Sequence, residues 1–148
     1  TFKSSKPSVA KVKNNILYAK DNGSYSLTVS LNSNPALSST ESYVMSGIKK
    51  PKANITSVKS KKKKQITVSW KNNIKNVTGY EIQYSTSKKF TKKTTKTVTA
   101  KGKKVKSKKI SKLKSKKTYY VRIRAYKNQS QGEKFYGKYS KTLKIKVK

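Results

Sequence analysis

The sequence predicts an all-β protein built as a sandwich, and three observations carry that expectation. Helical periodicity is scarce, while short runs that alternate apolar and polar residues recur between Gly, Asn, Ser and Lys punctuation. β-Branched and aromatic residues, which suit a pleated and half-buried surface, are abundant in those runs. The apolar fraction is low at 32%, but it is patterned rather than scattered, so there is a core to bury. A length of 148 residues leaves room for one ordinary domain or two small ones.

The first segment, residues 1–31, reads as three short strands led in by residues 2–5. Residues 8–12 carry Val9 and Val12, and after a turn at Asn14-Asn15 residues 16–19 set Leu17 and Ala19 on one face. The tight turn Lys20-Asp21-Asn22-Gly23 leads into residues 24–31, where Tyr25, Leu27, Val29 and Leu31 alternate with Ser and Thr. A few strands with one apolar face cannot bury that face alone, so the segment reads as half a sandwich. Residues 32–50 read as a linker. The stretch 32–48 has no period, is rich in Ser, Asn and Thr, and holds Pro35 and Gly47, although Tyr43, Val44 and Met45 offer a docking point. The opening Thr1-Phe2-Lys3 reads as the middle of a domain, so the chain is expected to be a fragment of something longer.

From Pro51 onward a seven-strand pattern is expected. Residues 54–58 form the first strand and residues 65–70 the second, with Ile66, Val68 and Trp70 facing in. Gly79 starts the third, where Tyr80, Ile82 and Tyr84 alternate with Glu81, Gln83 and Ser85. Residues 96–100 are a lysine-studded edge, which resists strand addition, and residues 105–110 a fifth strand of open parity. Tyr119, Val121, Ile123 and Ala125 face in along the sixth strand, and Leu143, Ile145 and Val147 along the seventh. Seven short strands at this spacing are the pattern of an immunoglobulin-like β-sandwich.

Several motifs sharpen this. A tryptophan sits in Ile66-Thr67-Val68-Ser69-Trp70, followed by Gly79-Tyr80-Glu81-Ile82-Gln83-Tyr84-Ser85. Leu113 stands six residues before Tyr119-x-Val121-x-Ile123-x-Ala125, and Phe135-Tyr136-Gly137-Lys138-Tyr139-Ser140 precedes the last strand. With these motifs, residues 51–148 resemble a fibronectin type III domain, of the lysine-rich kind common in secreted proteins of gut clostridia and their relatives. The resemblance implies a core of Trp70, Tyr80, Ile82, Tyr84, Leu113, Tyr119, Val121 and Ile123. It also implies that Tyr119 is a tyrosine-corner residue, its hydroxyl bonded back to the loop near Leu113. Residues 1–31 resemble the second half of a bacterial immunoglobulin-like repeat of group 2. The carriers are Phe2-Lys3-Ser4-Ser5-Lys6-Pro7-Ser8-Val9-Ala10-Lys11-Val12 and Gly23-x-Tyr25-x-Leu27-x-Val29, with Phe2 where that family has tryptophan.

The chemistry is sparse. The chain has no cysteine and no histidine, which removes disulfides, thiol nucleophiles and the usual zinc ligands together. Its four acids, Asp21, Glu41, Glu81 and Glu133, are dispersed and form no carboxylate pair. Serine–lysine dyads arise by chance where both residues are this common. No enzyme activity and no cofactor are therefore expected. An internal lysine–asparagine isopeptide needs a buried acid, and Glu81, the one acid placed mid-strand, points outward beside Arg122 or Arg124 as a solvated residue. No stretch approaches the ~20 apolar residues of a membrane span.

The charge is the loudest feature: 39 basic residues against 4 acidic ones, a formal +35, with Arg122 and Arg124 the two arginines and lysine the rest. Weak, salt-sensitive attraction to nucleic acid follows from charge alone, but specific recognition wants arginine forks, a recognition helix or an aromatic platform motif. Flexible ammonium groups suffice for diffuse anionic polymers outside the cell, such as teichoic acids, anionic glycans and mucin sulfates. The candidate contacts are Lys61, Lys62, Lys63, Lys64, Lys114, Lys116 and Lys117, with further clusters at 101–104 and 106–109.

A second candidate is a carbohydrate platform of Tyr120, Tyr126, Phe135, Tyr136 and Tyr139, read as outward or loop aromatics, although cross-strand packing explains such rings in most sandwiches. Residues 127–138 hold no Arg-Gly-Asp. The triplets at Asn54, Asn76 and Asn128 are glycan acceptors only in a eukaryotic secretory setting. The expected function is a non-catalytic, secreted or wall-associated module that spaces or tethers neighbouring domains of a longer chain and adheres to anionic polymers. The alternative is an accessory carbohydrate-binding module on a polysaccharide-degrading enzyme.

Overall fold

A computed structural model describes residues 1–46, 49–72, 77–129 and 133–148; the elements among them are all strands. The chain divides into two compact units. One comprises Thr1–Lys50 with Gln129–Phe135, the other Pro51–Asn128 with Tyr136–Lys148.

In the first unit β1 (Phe2–Ser4), β4 (Gly23–Ser30) and β5 (Ser38–Met45) form an antiparallel sheet in the order β1-β4-β5. β2 (Ala10–Lys13) and β3 (Ile16–Ala19) form a hairpin. Its two-residue turn is Asn14-Asn15, both at positive φ (50° and 57°), which is the pattern of a type I′ turn and a conformation asparagine tolerates. Val9, Ala10 and Tyr25 make a small core with Leu27 and Met45 against it.

Two expectations fail in this unit. The stretch expected to be linker contains β5, paired with β4 from Gly23↔Met45 to Ser30↔Ser38. Its Ser and Thr side chains face solvent and meet hydroxyl to hydroxyl, as in Thr28–Thr40 at 2.8 Å, so a backbone ladder forms with no hydrophobic period to announce it. Gly47 and Ile48 lie outside the described residues. The face that was to hold Leu17 and Val29 is also different: both are exposed, and Tyr18 is buried instead. In β3 a one-residue change of parity moves every side chain to the other face, whereas β4 keeps the expected parity, with Tyr25 buried and Val29 exposed farther along the same face.

The second unit has two sheets. β6 (Ala53–Lys59), β7 (Ile66–Asn72) and β10 (Ser107–Ile110) run in the order β10-β7-β6. β8 (Gly79–Ser85), β9 (Thr95–Lys101), β11 (Thr118–Asn128) and β12 (Lys134–Tyr136, of which Tyr136 belongs to this unit) run in the order β12-β11-β8-β9, and β13 (Leu143–Lys146) also pairs with β11. Between the sheets lies one core that includes Ile55, Ile66, Val68, Trp70, Tyr80, Ile82, Leu113, Val121, Ile123 and Val147. A bulge between Ile55 and Ser57 resets the parity of β6, which lets Ala53 and Ile55 point inward and Val58 do so again three residues on. The expected seventh strand forms as β13, and an extra strand, β12, forms where a loop was expected; the chain between them still tracks β11 through Gly137 N–H to Ala125 O at 2.9 Å and Ser140 N–H to Ile123 O at 2.7 Å. A Cβ on Gly137 would sit 1.6 Å from the Pro51 carbonyl oxygen, so the start of this unit and its last crossing require glycine at that contact.

Candidate functional site

Lysines distant in sequence converge at one end of the second unit. The β6–β7 turn with Lys61, Lys62, Lys63 and Lys64, the β10–β11 connection with Lys112, Lys114, Lys116 and Lys117, and the terminal Lys146 and Lys148 are tied together by the main chain. Lys64 N–H donates to Lys148 O at 2.9 Å, Leu113 N–H to Lys64 O at 3.0 Å and Lys116 N–H to Val147 O at 2.8 Å. The Ser115 hydroxyl donates to Lys148 O at 3.0 Å, and Lys148 N–H to the Ser60 hydroxyl at 3.0 Å. The Tyr119 hydroxyl accepts from Lys114 N–H at 3.2 Å, which pins the connection from beneath.

The backbone is thus rigidly bonded while the lysine side chains stay exposed. Lys64, Lys112 and Lys116 hold positive φ of 55°, 61° and 60°. The cluster around Lys101, Lys103 and Lys104 lies at the opposite end, where Gly102 N–H meets Thr78 O and the Tyr80 hydroxyl meets Lys103 O.

The aromatic candidates do not form a sugar platform. Tyr126 is 3% exposed and Phe135 7%, so both are buried rather than solvent-facing. Tyr126 lies on the outer face of β11, but that face is covered: its ring packs tilted against Tyr136 at 5.9 Å, and its hydroxyl lies 2.7 Å from where a Gly79 Cβ would be. Phe135 is the middle residue of β12. Tyr120 is half-exposed on β11.

Tyr136 and Tyr139 are taken up by a ladder that includes both arginines. The Arg122 guanidinium lies 4.0 Å from the Phe90 ring and 4.1 Å from Tyr139, and Arg124 lies 3.7 Å from Tyr136 and 4.6 Å from Tyr139. Planar guanidinium stacks on aromatic faces as ammonium does not, which accounts for arginine at these two places in a lysine-dominated chain.

Glu81 closes the ladder. Arg124 Nη2 reaches its Oε1 at 2.7 Å and the Tyr139 hydroxyl donates to the same atom at 2.8 Å, so the carboxylate, 13% exposed, is not the solvated residue its parity suggested. Arg122 holds Gln83 Oε1 at 2.7 Å. Burial and the bond to Glu81 push the Tyr139 phenol well above its usual range. Burial and the same carboxylate also raise Tyr126 and Tyr136. The signal in sequence was Arg122-x-Arg124 on an outward face, and the ring partners from other loops were not deducible from it.

In the first unit Glu133 draws together Lys13 at 3.1 Å, Lys20 at 3.2 Å and Lys11 at 3.9 Å. Hydrogen bonds from Lys13 and Lys20 hold its carboxyl below the usual range. No cluster of metal-ligating side chains occurs among the described residues. No helix among them is long and apolar enough to cross a membrane. Of the three Asn triplets, Asn54 is exposed, while Asn76 and Ser130 lie outside the described residues.

Two packed antiparallel sheets, a tyrosine bonded back to the preceding loop and an unbroken core between the layers define an immunoglobulin-like sandwich module. The fibronectin type III domain family matches residues 49–138, and the chain belongs to that family, whose domains are typically non-catalytic. No curated protein matches the chain. Among solved structures, the fibronectin type III domain of human contactin 1 is similar at a TM-score of 0.55 and 17% identity, over 70% of this chain and 82% of that one. That of the human collagen alpha-1(XX) chain gives 0.51 and 17%, over 70% and 89%. At such identities the likeness is one of fold.

Proposed function

We propose that this protein is a spacing and tethering module of a secreted or wall-associated bacterial protein, which adheres to anionic polymers through its lysines. The observation that carries the reading is the lysine pole: turns far apart in sequence present exposed ammonium groups from one rigidly bonded end. Lysine supplies charge without the fixed fork of arginine, so it suits diffuse polyanions better than a planar, bidentate ligand. Both arginines, by contrast, are engaged within the fold. Residues 1–31 are read in the same light as part of an immunoglobulin-like repeat in a longer surface chain. A sugar platform has less support, since two of its five rings are buried and two are stacked on guanidinium.

Retention on immobilised teichoic acid or heparin tests the proposal. It should fall steeply as salt rises, because each neutralised anion releases a counterion, and single Lys→Ala changes should each have a small effect. Retention that is insensitive to salt, or competed by neutral glycans in high salt, would refute it.

A further inference from the structure

We infer that a groove beside the lysine pole is a built site for a flexible polyphosphodiester chain of the glycerol phosphate type, one segment of which it holds. The inference rests on the adhesive reading above and gives it a location and a ligand chemistry.

The groove opens where the edge strand β9 of one sheet and the edge strand β10 of the other diverge, and it has a volume of about 700 Å³. That is the size of a small-molecule site, within the usual ~300–1,000 Å³. Lys93 and Lys96 stand on one wall, Lys112, Lys114 and Lys117 on the other, and no acidic residue lines it. Like charges around one concavity repel one another and focus potential into it, so the arrangement is stabilised by an anion and by little else in the fold.

The floor separates ligand classes. Tyr84 and Tyr119 are each 8% exposed and Leu113 5%, so the groove offers edges of buried rings and no open aromatic face. A nucleobase or a pyranose needs such a face to stack on, whereas a thin phosphodiester backbone needs only charge and room. The hydroxyls of Thr86 and Ser111 line the same groove and can donate to phosphate oxygens, whereas the Thr94 hydroxyl is already bonded to Ser85 and Thr91.

Backbone conformation supplies an independent observation. Lys112 in the groove, and Lys64 and Lys116 at the adjoining pole, hold left-handed φ values of 61°, 55° and 60°. That region strains a side chain such as lysine, and glycine or asparagine meets it with less strain, as Asn14 and Asn15 do in the first unit. Lysine at three such positions at one end trades local stability for charge there.

The test compares two triple variants that remove equal charge from the full chain. One is Lys96→Gln with Lys112→Gln and Lys114→Gln in the groove; the other is Lys103→Gln with Lys104→Gln and Lys106→Gln away from it. Short poly(glycerol phosphate) is titrated by calorimetry at fixed ionic strength. The groove variant should bind about tenfold more weakly, the worth of three modest ion pairs, and the distal variant no more than about twofold more weakly. Equal losses would overturn the groove and leave diffuse adhesion standing, whereas no binding by the unmodified chain would overturn the adhesive reading itself. Groove-dependent binding of a heparin oligosaccharide tighter than that of poly(glycerol phosphate) would overturn the phosphodiester assignment. Lys112→Gly separates charge from fold: binding should weaken while the unfolding midpoint holds or rises, and a fall in both would make Lys112 structural.

Discussion

The Tyr139 hydroxyl donates to Glu81 Oε1 at 2.8 Å, across 58 residues of chain, and Arg124 binds the same oxygen. This contact fastens the crossing between β12 and β13 onto the outer face of β8 and β11. It also explains why an outward-pointing glutamate in a chain of +35 net charge is half-hidden rather than solvated. A carboxylate that accepts from guanidinium and phenol together sits in charge-assisted bonds, about twice as strong as neutral ones.

Alkaline unfolding reads this contact. The Tyr139 phenol is raised above its unfolded value of about 10, so its contribution to stability is complete below that pH. Above it the unfolded chain loses the proton first, and the contribution is lost as pH rises toward the folded value. Tyr139→Phe should be less stable than the parent at neutral pH, and the difference should shrink above about pH 10. Chemical denaturation across pH checks this; a gap that stays constant would mean the hydroxyl bond contributes nothing.

Arg124→Lys should destabilise the second unit by about 1–2 kcal/mol although the charge is kept, because the ammonium cannot stack on Tyr136 and Tyr139 while holding Glu81. Substitution of an exposed lysine such as Lys63 by arginine should change stability by less than about 0.5 kcal/mol. Urea midpoints of the two variants, with the denaturation slope unchanged, provide the comparison.

Trp70 is 2% exposed, packs 5.0 Å from Tyr80, and its buried indole N–H has no acceptor among the described residues. Trp70→Ala should cost about 3–5 kcal/mol. Trp70→Phe should cost clearly less, since it keeps the ring packing and removes a buried donor that makes no bond. Both are measurable on the full chain and on residues 51–148 alone, which we expect to unfold in one cooperative transition. A broad, non-cooperative transition of the shorter piece would place the boundary of the stable unit elsewhere.

Hydrogen exchange tests the first unit. β4 is bonded on both sides, by β1 and by β5, so amides in 25–29 should exchange slowest there. β5 is an edge, and its amides directed at β4 should be protected while those directed away are not. Uniformly fast exchange across Ser38–Met45 would show that the hydroxyl-lined ladder does not persist in solution.

The strands of the second unit were legible because each carries its own period. Ile66, Val68 and Trp70, or Val121, Ile123 and Ala125, alternate with polar residues whatever they pack against, and all six are buried. β5 carries no such period, since Ser, Thr and Glu on both faces leave only the backbone to mark a strand. Tyr126 shows the opposite error. Its parity was read as outward, but the outer face is roofed by Tyr136, and alternation says which side a residue takes, not whether that side meets water.

By itself, then, the sequence determined the all-β class, the sandwich core, the near absence of reactive side chains and the lysine charge, because these are local properties of composition and period. Tertiary structure alone decided that Lys61 to Lys64 share an end with Lys112 to Lys117 and Lys148, and that Phe90, Tyr136 and Tyr139 enclose the two arginines. Those are long-range closures, set by which loops the strand order β10-β7-β6 and β12-β11-β8-β9 brings together, and no period along the chain records them.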